Sequence, residues 1–172
     1  MEQAMSIGTS YLPEFDQEMA GTRKVLEQLV DEKLDWKAHP KSNSMRWVAS
    51  HLVEIPGWLP GIFESESWDI HPPGEEPYST PQLASRQEIL DAFDRNVAEA
   101  RKVLESATDE SFGQGWSLLM GGQTLIAMPR IGMLRTFILN HSIHHRAFLC
   151  SYLRLNDLPV PGLYGPSGDE NG

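Results

Sequence analysis

The sequence predicts an all-α fold: a four-helix bundle in a non-standard helix order with long crossover connections, and a short β-hairpin between helices 3 and 4. Three observations predict it. Four segments repeat apolar residues at spacings of three and four, the period of one helix face. Two long Pro- and Gly-rich connections separate them, where a simple up-down-up-down meander needs only short turns. The composition, 40% hydrophobic and 22% charged over 172 residues, is that of one globular domain spanning 1-172. A chain of that length buries roughly 70% of the surface it exposes when unfolded, so folding requires neither disulfide nor metal.

In helix 1, Phe15, Met19, Thr22, Leu26 and Leu29 alternate spacings of four and three, marking a helix from Pro13 to Val30. Helix 2 starts at Ser44, an N-cap residue type, and carries Trp47, Val48, His51, Leu52 and Ile55. Pro56, Gly57 and Pro60 should kink or interrupt it, because Pro56 has no N–H for the Leu52 carbonyl. Ser85-Arg86-Gln87-Glu88 has the form of a capping box and opens helix 3, whose stripe is Leu90, Phe93, Val97, Ala100, Leu104 and Ala107. Pro129 suits the first turn of helix 4. Its stripe is Leu134, Ile138, His141, His145, Phe148, Tyr152 and Leu155, and Pro159 and Pro161 end it. His71 to Pro81 holds five Pro or Gly residues and reads as an irregular crossing. Gly113 to Met128 suits a hairpin with Gly121-Gly122 at its tip. The tail from Gly165 to Gly172 reads as flexible.

The net charge of −10 argues against nucleic acid or an anionic membrane surface as partner. No signal peptide and no apolar run of about 18 residues is visible, which points to the cytoplasm. The single cysteine, Cys150, reads as packing and not as a nucleophile.

The histidines carry the chemistry. His141 and His145 stand four apart, so their side chains share a face of helix 4. Such a pair either hydrogen-bonds within the core or supplies two ligands to one metal, and the inward-facing His51 on helix 2 shifts the balance to metal. At 1.5 Å per residue His51 lies about 10 Å into helix 2, and His145 about 15 Å before the end of helix 4. In an antiparallel pair those levels coincide. His144 falls on the flank, as a surface residue or a general base, and His39 and His71 fall in loops. Glu54 follows His51 by three, a spacing used in di-iron bundles. Helices 1 and 3 put no carboxylate on their stripes, however, which disfavours a di-iron site. Trp47 and Trp58 flank the His51 face and suit the walls of a pocket. Arg130, Arg135, Arg146 and Arg154 recur along helix 4 and read mainly as solvated or paired with carboxylates.

Ala49-Ser50-His51-Leu52-Val53-Glu54, Asn140-His141-Ser142-Ile143-His144-His145-Arg146 and Tyr152-Leu153-Arg154-Leu155 together resemble the DinB/YfiT-like bundle proteins, as does the ending Pro159 to Ser167. The resemblance covers most of the chain. It implies a four-helix bundle in non-standard order and a divalent metal, nickel or zinc, held at the positions of His51, His141 and His145. It also implies a homodimer. Some relatives are metal-dependent S-transferases or isomerases that use a low-molecular-weight thiol. Three functions are therefore expected in turn: a metal-dependent, thiol-using transferase acting on a small molecule, a metal-dependent hydrolase, and a non-catalytic stress-related binding protein. No catalytic acid or base is identifiable.

Overall fold

The computed structural model describes residues 5–170. Its elements are α1 (Ile7–Leu26), a 3₁₀ turn (Asp31–Lys33), α2 (Met45–Glu64), β1 (Ser67–Asp69), α3 (Arg86–Ser106), α4 (Asp109–Gly113), β2 (Gly115–Met120), β3 (Gln123–Pro129), α5 (Arg130–Met133), a π-helical segment (Leu134–Asn140) and α6 (His141–Leu155). None of the described helices is long and apolar enough to cross a membrane.

Capping sets the limits of α1. The Ser6 hydroxyl accepts from the Thr9 N–H at 3.2 Å, so the helix begins six residues before the predicted Pro13, which lies inside it. It closes at Leu26, short of Val30, because the N–H groups of Gln28 and Leu29 turn to carbonyls three residues back. In α3 the Ser85 hydroxyl accepts from Glu88 N–H, as the capping box requires. The return bond goes one residue further out, from Ala84 N–H to Glu88 Oε2 at 2.8 Å.

Interruption, one of the two outcomes expected of its prolines, does not occur in helix α2: it continues through Pro56 and Pro60. Each proline removes a donor, but the helix is buried along most of its length and packed on both α3 and α6. Asn96 of α3 donates to the Val53 carbonyl at 2.8 Å, one turn before Gly57. A Cβ on Gly57 would meet that Asn96 nitrogen at 2.9 Å, so the glycine admits the bond.

The fourth long helix is α5, the π segment and α6 in succession. The π turn corrects the predicted stripe. Leu134 and Ile138 are buried as expected, but the buried face then passes through Ser142, Arg146, Leu149, Tyr152 and Leu153. Phe148 and Leu155 are exposed instead. One extra residue in a turn rotates everything beyond it by about 100°, leaving His141 and His145 at the edge of the core.

Helix α1 packs on α3 and α6, and α2 packs on the same two. Consecutive helices α1 and α2 therefore lie across the bundle from each other, which is the non-standard order. Contacts between α2 and the fourth helix run in opposite senses: the Tyr152 hydroxyl to the Asn43 carbonyl, Trp47 against His145, Trp58 against Phe137. They are antiparallel. Phe15, Leu26, Leu52, Ile55, Phe93 and Leu149 are among the side chains that fill the centre.

The hairpin forms where predicted, β2 antiparallel to β3, with positive φ at Gly121 and Gly122 as a type I′ connection demands. A third strand that the sequence did not reveal, β1, joins β2 in parallel, pairing Trp68 with Leu118. Asp69 fastens it by accepting from the N–H groups of His71, Gly121 and Gly122.

The tail is tied down, not loose. Asp169 pairs with Arg154 at 2.7 Å and accepts from Val160 N–H, and Glu170 accepts from Gly162 and Ser167 N–H. Residues 171–172 lie outside the described part. Arg146 and Glu18 form a buried ion pair at 2.6 Å, capped by the Tyr164 hydroxyl, which donates to Glu18 at 2.7 Å. Helix 1 thus does bury a carboxylate, against expectation, but one already spent on an arginine. Arg130 is buried as well, bound to the Ser65 carbonyl and to Gln114. Arg135 reaches Glu14 at the surface.

Candidate metal centre

The antiparallel approach of α2 and the fourth helix brings three imidazoles to one point. His51 Nε2 lies 3.2 Å from His141 Nε2, which lies 3.0 Å from His145 Nε2. All three candidate ligands named by the sequence are brought together, and no further histidine, cysteine or carboxylate joins the group among the described residues. His144 is exposed, its ring edge-on to His145 at 4.9 Å. His39 and His71 are exposed in their loops.

Each ring is held for a physical reason. His51 is buried, stacked on Trp47 at 4.6 Å, with Nδ1 2.5 Å from Glu54 Oε1. The carboxylate oxygen is the acceptor, so Nδ1 is assigned as the donor and Nε2 faces the other two rings. Burial, then the neighbouring His51 ring, pushes His141 down to about 4. Burial, His51 and His141 push His145 down to about 3. Both rings are therefore neutral near pH 7 and offer lone pairs.

Glu54 stands beside His51 as its hydrogen-bond partner, a role the sequence did not assign to it. It is buried, and besides His51 it accepts from Thr80 Oγ1 at 2.7 Å and from the Tyr78 hydroxyl. Burial and the bond to Glu54 push the Tyr78 phenol up, with the nearby Trp58 N–H pulling the other way. The i,i+3 spacing of His51 and Glu54 was a visible signal. Tyr78 and Thr80 come from the irregular crossing and carried none.

His51 lines a cavity of about 580 Å³, while His145 lines a smaller one of about 230 Å³ on the other side of Trp47. Trp47 and Trp58 wall the larger one, as their spacing predicted, with Trp68 of β1, Leu118 of β2, Tyr78 of the crossing and Phe137 of the π segment.

Chemically, His141 Nε2 lies 3.0 and 3.2 Å from the other two imidazole nitrogens, near the donor spacing around a tetrahedral ion, about 3.3 Å for bonds of 2.0–2.1 Å. With only three protein donors, the arrangement fits an ion that keeps a position open toward the cavity, the catalytic type of site. Cys150 is half-buried, and burial raises its thiol, so it is inert packing.

A family model described as the DinB superfamily matches residues 14–149. The uncharacterized protein YrdA of Bacillus subtilis is 28% identical over 160 residues, 93% of this chain and 89% of that one. Among solved structures, a DinB-like protein from Bacillus cereus is 26% identical, with a TM-score of 0.69 over 94% of this chain and all of that one. YfiT from Bacillus subtilis, described as a probable metal-dependent hydrolase with an unusual four-helix bundle topology, is 18% identical, with a TM-score of 0.66 over 92% and 94% of the two chains. At that identity the likeness is one of fold.

Proposed function

This chain belongs to the DinB superfamily, and from that membership and the three converging imidazoles we propose that it is a mononuclear divalent-metal enzyme acting on a small molecule. His51, His141 and His145 are the ligands. The observation that carries the reading is the convergence of three Nε2 atoms beside a cavity. Nickel or zinc suits imidazole donors. When bound, a divalent ion activates a water or a thiol at the open position by lowering its pKa.

The chain's own residues prepare that position. Glu54 holds the Nδ1 proton of His51 and so aims Nε2 inward. Tyr78 and Thr80 occupy the remaining lone pairs of Glu54 and keep it from turning into the site. Burial keeps His141 and His145 unprotonated. Trp47, Trp58, Trp68 and Phe137 give the cavity beside His51 a largely aromatic wall.

Hydrolysis and thiol-dependent S-transfer both suit such a site, and the description of YfiT as a probable metal-dependent hydrolase favours the first. Turnover of an electrophilic substrate without added low-molecular-weight thiol supports hydrolysis. A strict thiol requirement supports transfer.

Elemental analysis of the purified protein tests the site. We expect about one equivalent of divalent metal, lost in His141→Ala while the helical circular dichroism is kept. A His141→Ala protein that retains a full equivalent would remove the ligand assignment.

A further inference from the structure

We infer that the cavity beside the three histidines takes an uncharged, flat, apolar molecule carrying one hydrogen-bond acceptor. This names the substrate class of the site proposed above and rests on that reading for its catalytic meaning, though not for the binding itself.

The walls make the argument. Trp58 and Phe137 stack with centroids 5.0 Å apart, Trp68 stands at 6.0 Å from Trp58, and Tyr78 meets Trp68 edge-on at 4.7 Å. Leu118 closes the floor. A second cavity of about 340 Å³ shares Trp58, Trp68 and Tyr78, so the aromatic lining continues away from the histidines. Faces and edges disposed in this way accept a planar ring by offset stacking and edge contact.

Charge is absent from the lining: no Lys, Arg, Asp or Glu contributes to the larger cavity, and its polar members besides His51 and Tyr78 are Ser79, Thr80 and Gln82. Glu54 lies behind His51 with its oxygens committed to His51, Thr80 and Tyr78. In the metal-free protein an anionic ligand would lose its hydration and gain no counter-charge from the wall. A cation finds aromatic faces but no carboxylate in the wall, so it too gives up hydration without a counter-charge. A neutral ligand avoids that cost.

One donor in the wall is left over. Trp58 Nε1–H is buried and makes no hydrogen bond of acceptable geometry. The Tyr78 hydroxyl, which donates to Glu54, lies near enough to feel that N–H but does not accept from it with acceptable geometry. A carbonyl or ether oxygen on the ligand would satisfy that N–H.

Calorimetric titration of the full-length, chelator-treated protein tests this with four probes that share one ring system. These are 2-acetylnaphthalene, 2-ethylnaphthalene, 2-naphthoate and (2-naphthylmethyl)trimethylammonium. We expect saturable binding of the ketone, with the anion and the cation each weaker by about tenfold or more. In Trp58→Phe the ketone should weaken about three- to tenfold while 2-ethylnaphthalene is unchanged. Gln82→Lys, on an exposed position that cannot endanger folding, should raise naphthoate affinity. Naphthoate or the ammonium probe binding as tightly as the ketone would overturn the inference, and so would the absence of saturable binding by any probe. Because the metal is stripped, failure to load metal would defeat the function proposed above and leave this result standing. An anion preference would defeat this inference with metal loading intact.

Discussion

At His51 one carboxylate decides which nitrogen faces the site. Glu54 Oε1 lies 2.5 Å from Nδ1, so replacing it by glutamine keeps the size but weakens the acceptor that fixes the ring. Glu54→Gln should weaken metal binding by about 10- to 100-fold, as loss of such orienting partners does, measured by competition with a calibrated chelator. Glu54→Asp, which keeps the charge, should fall between the two. His141 and His145 carry a second expectation. Their folded values of about 4 and about 3 lie below the unfolded value of 6.5. Between those limits the unfolded chain binds protons that the folded chain refuses, so the stability of the metal-free protein should fall as pH drops from 6.5 toward 4. Urea titrations at several pH values check this. In the His141→Asn/His145→Asn double variant that part of the slope should vanish. The three histidines were legible because two shared a helix face and the third sat on another stripe. Tyr78 and Thr80 were not, because a proline-rich crossing has no periodicity from which to place a side chain.

Among the elements, the fourth helix shows where periodicity misleads. An i,i+3/i+4 stripe assumes 3.6 residues per turn throughout, and Leu134–Asn140 departs from that. The stripe was therefore right up to Ile138, and beyond it the buried positions fall mostly one residue later, with Tyr152 common to both. The prolines of α2 failed as break signals for a different reason: propensity is a small term beside the burial of nearly a whole helix. Ser44 and Ser85 were reliable start signals, since a side-chain acceptor at a helix start is a local bond that tertiary packing does not override, whereas the cap at Ser6 went unread. At the far end of α6, Asp157 takes the left-handed conformation (φ 57°) while Leu158 N–H bonds the Leu153 carbonyl, a Schellman closure without glycine. An aspartate there pays for a strained backbone and puts a negative charge at a helix C-terminus. Asp157→Gly should raise stability by about 0.5–1 kcal/mol, read as a higher urea midpoint with an unchanged slope.

The whole molecule is closed by a clasp that no single element displays. Arg146 of α6, Glu18 of α1 and Tyr164 of the tail meet where the first and last helices pack. Both charges are buried, so Glu18→Gln leaves an uncompensated guanidinium and should cost about 3–5 kcal/mol in urea denaturation. The sequence read Arg146 as solvated or paired with a carboxylate, but not as buried, because its partner Glu18 lies 128 residues away in α1. The long connections revealed that the helix order was unusual. They did not reveal that α1 and α2 oppose each other across the core, since nothing local to either helix encodes its neighbour. The π turn bears on how such a chain changes through its gene. Loss of one codon between 134 and 140 would restore ordinary winding and turn the two downstream histidines about 100° away from His51. Every ligand would still be spelled out in the sequence and the helices would still form, yet the lesion would abolish the site as surely as removing a histidine.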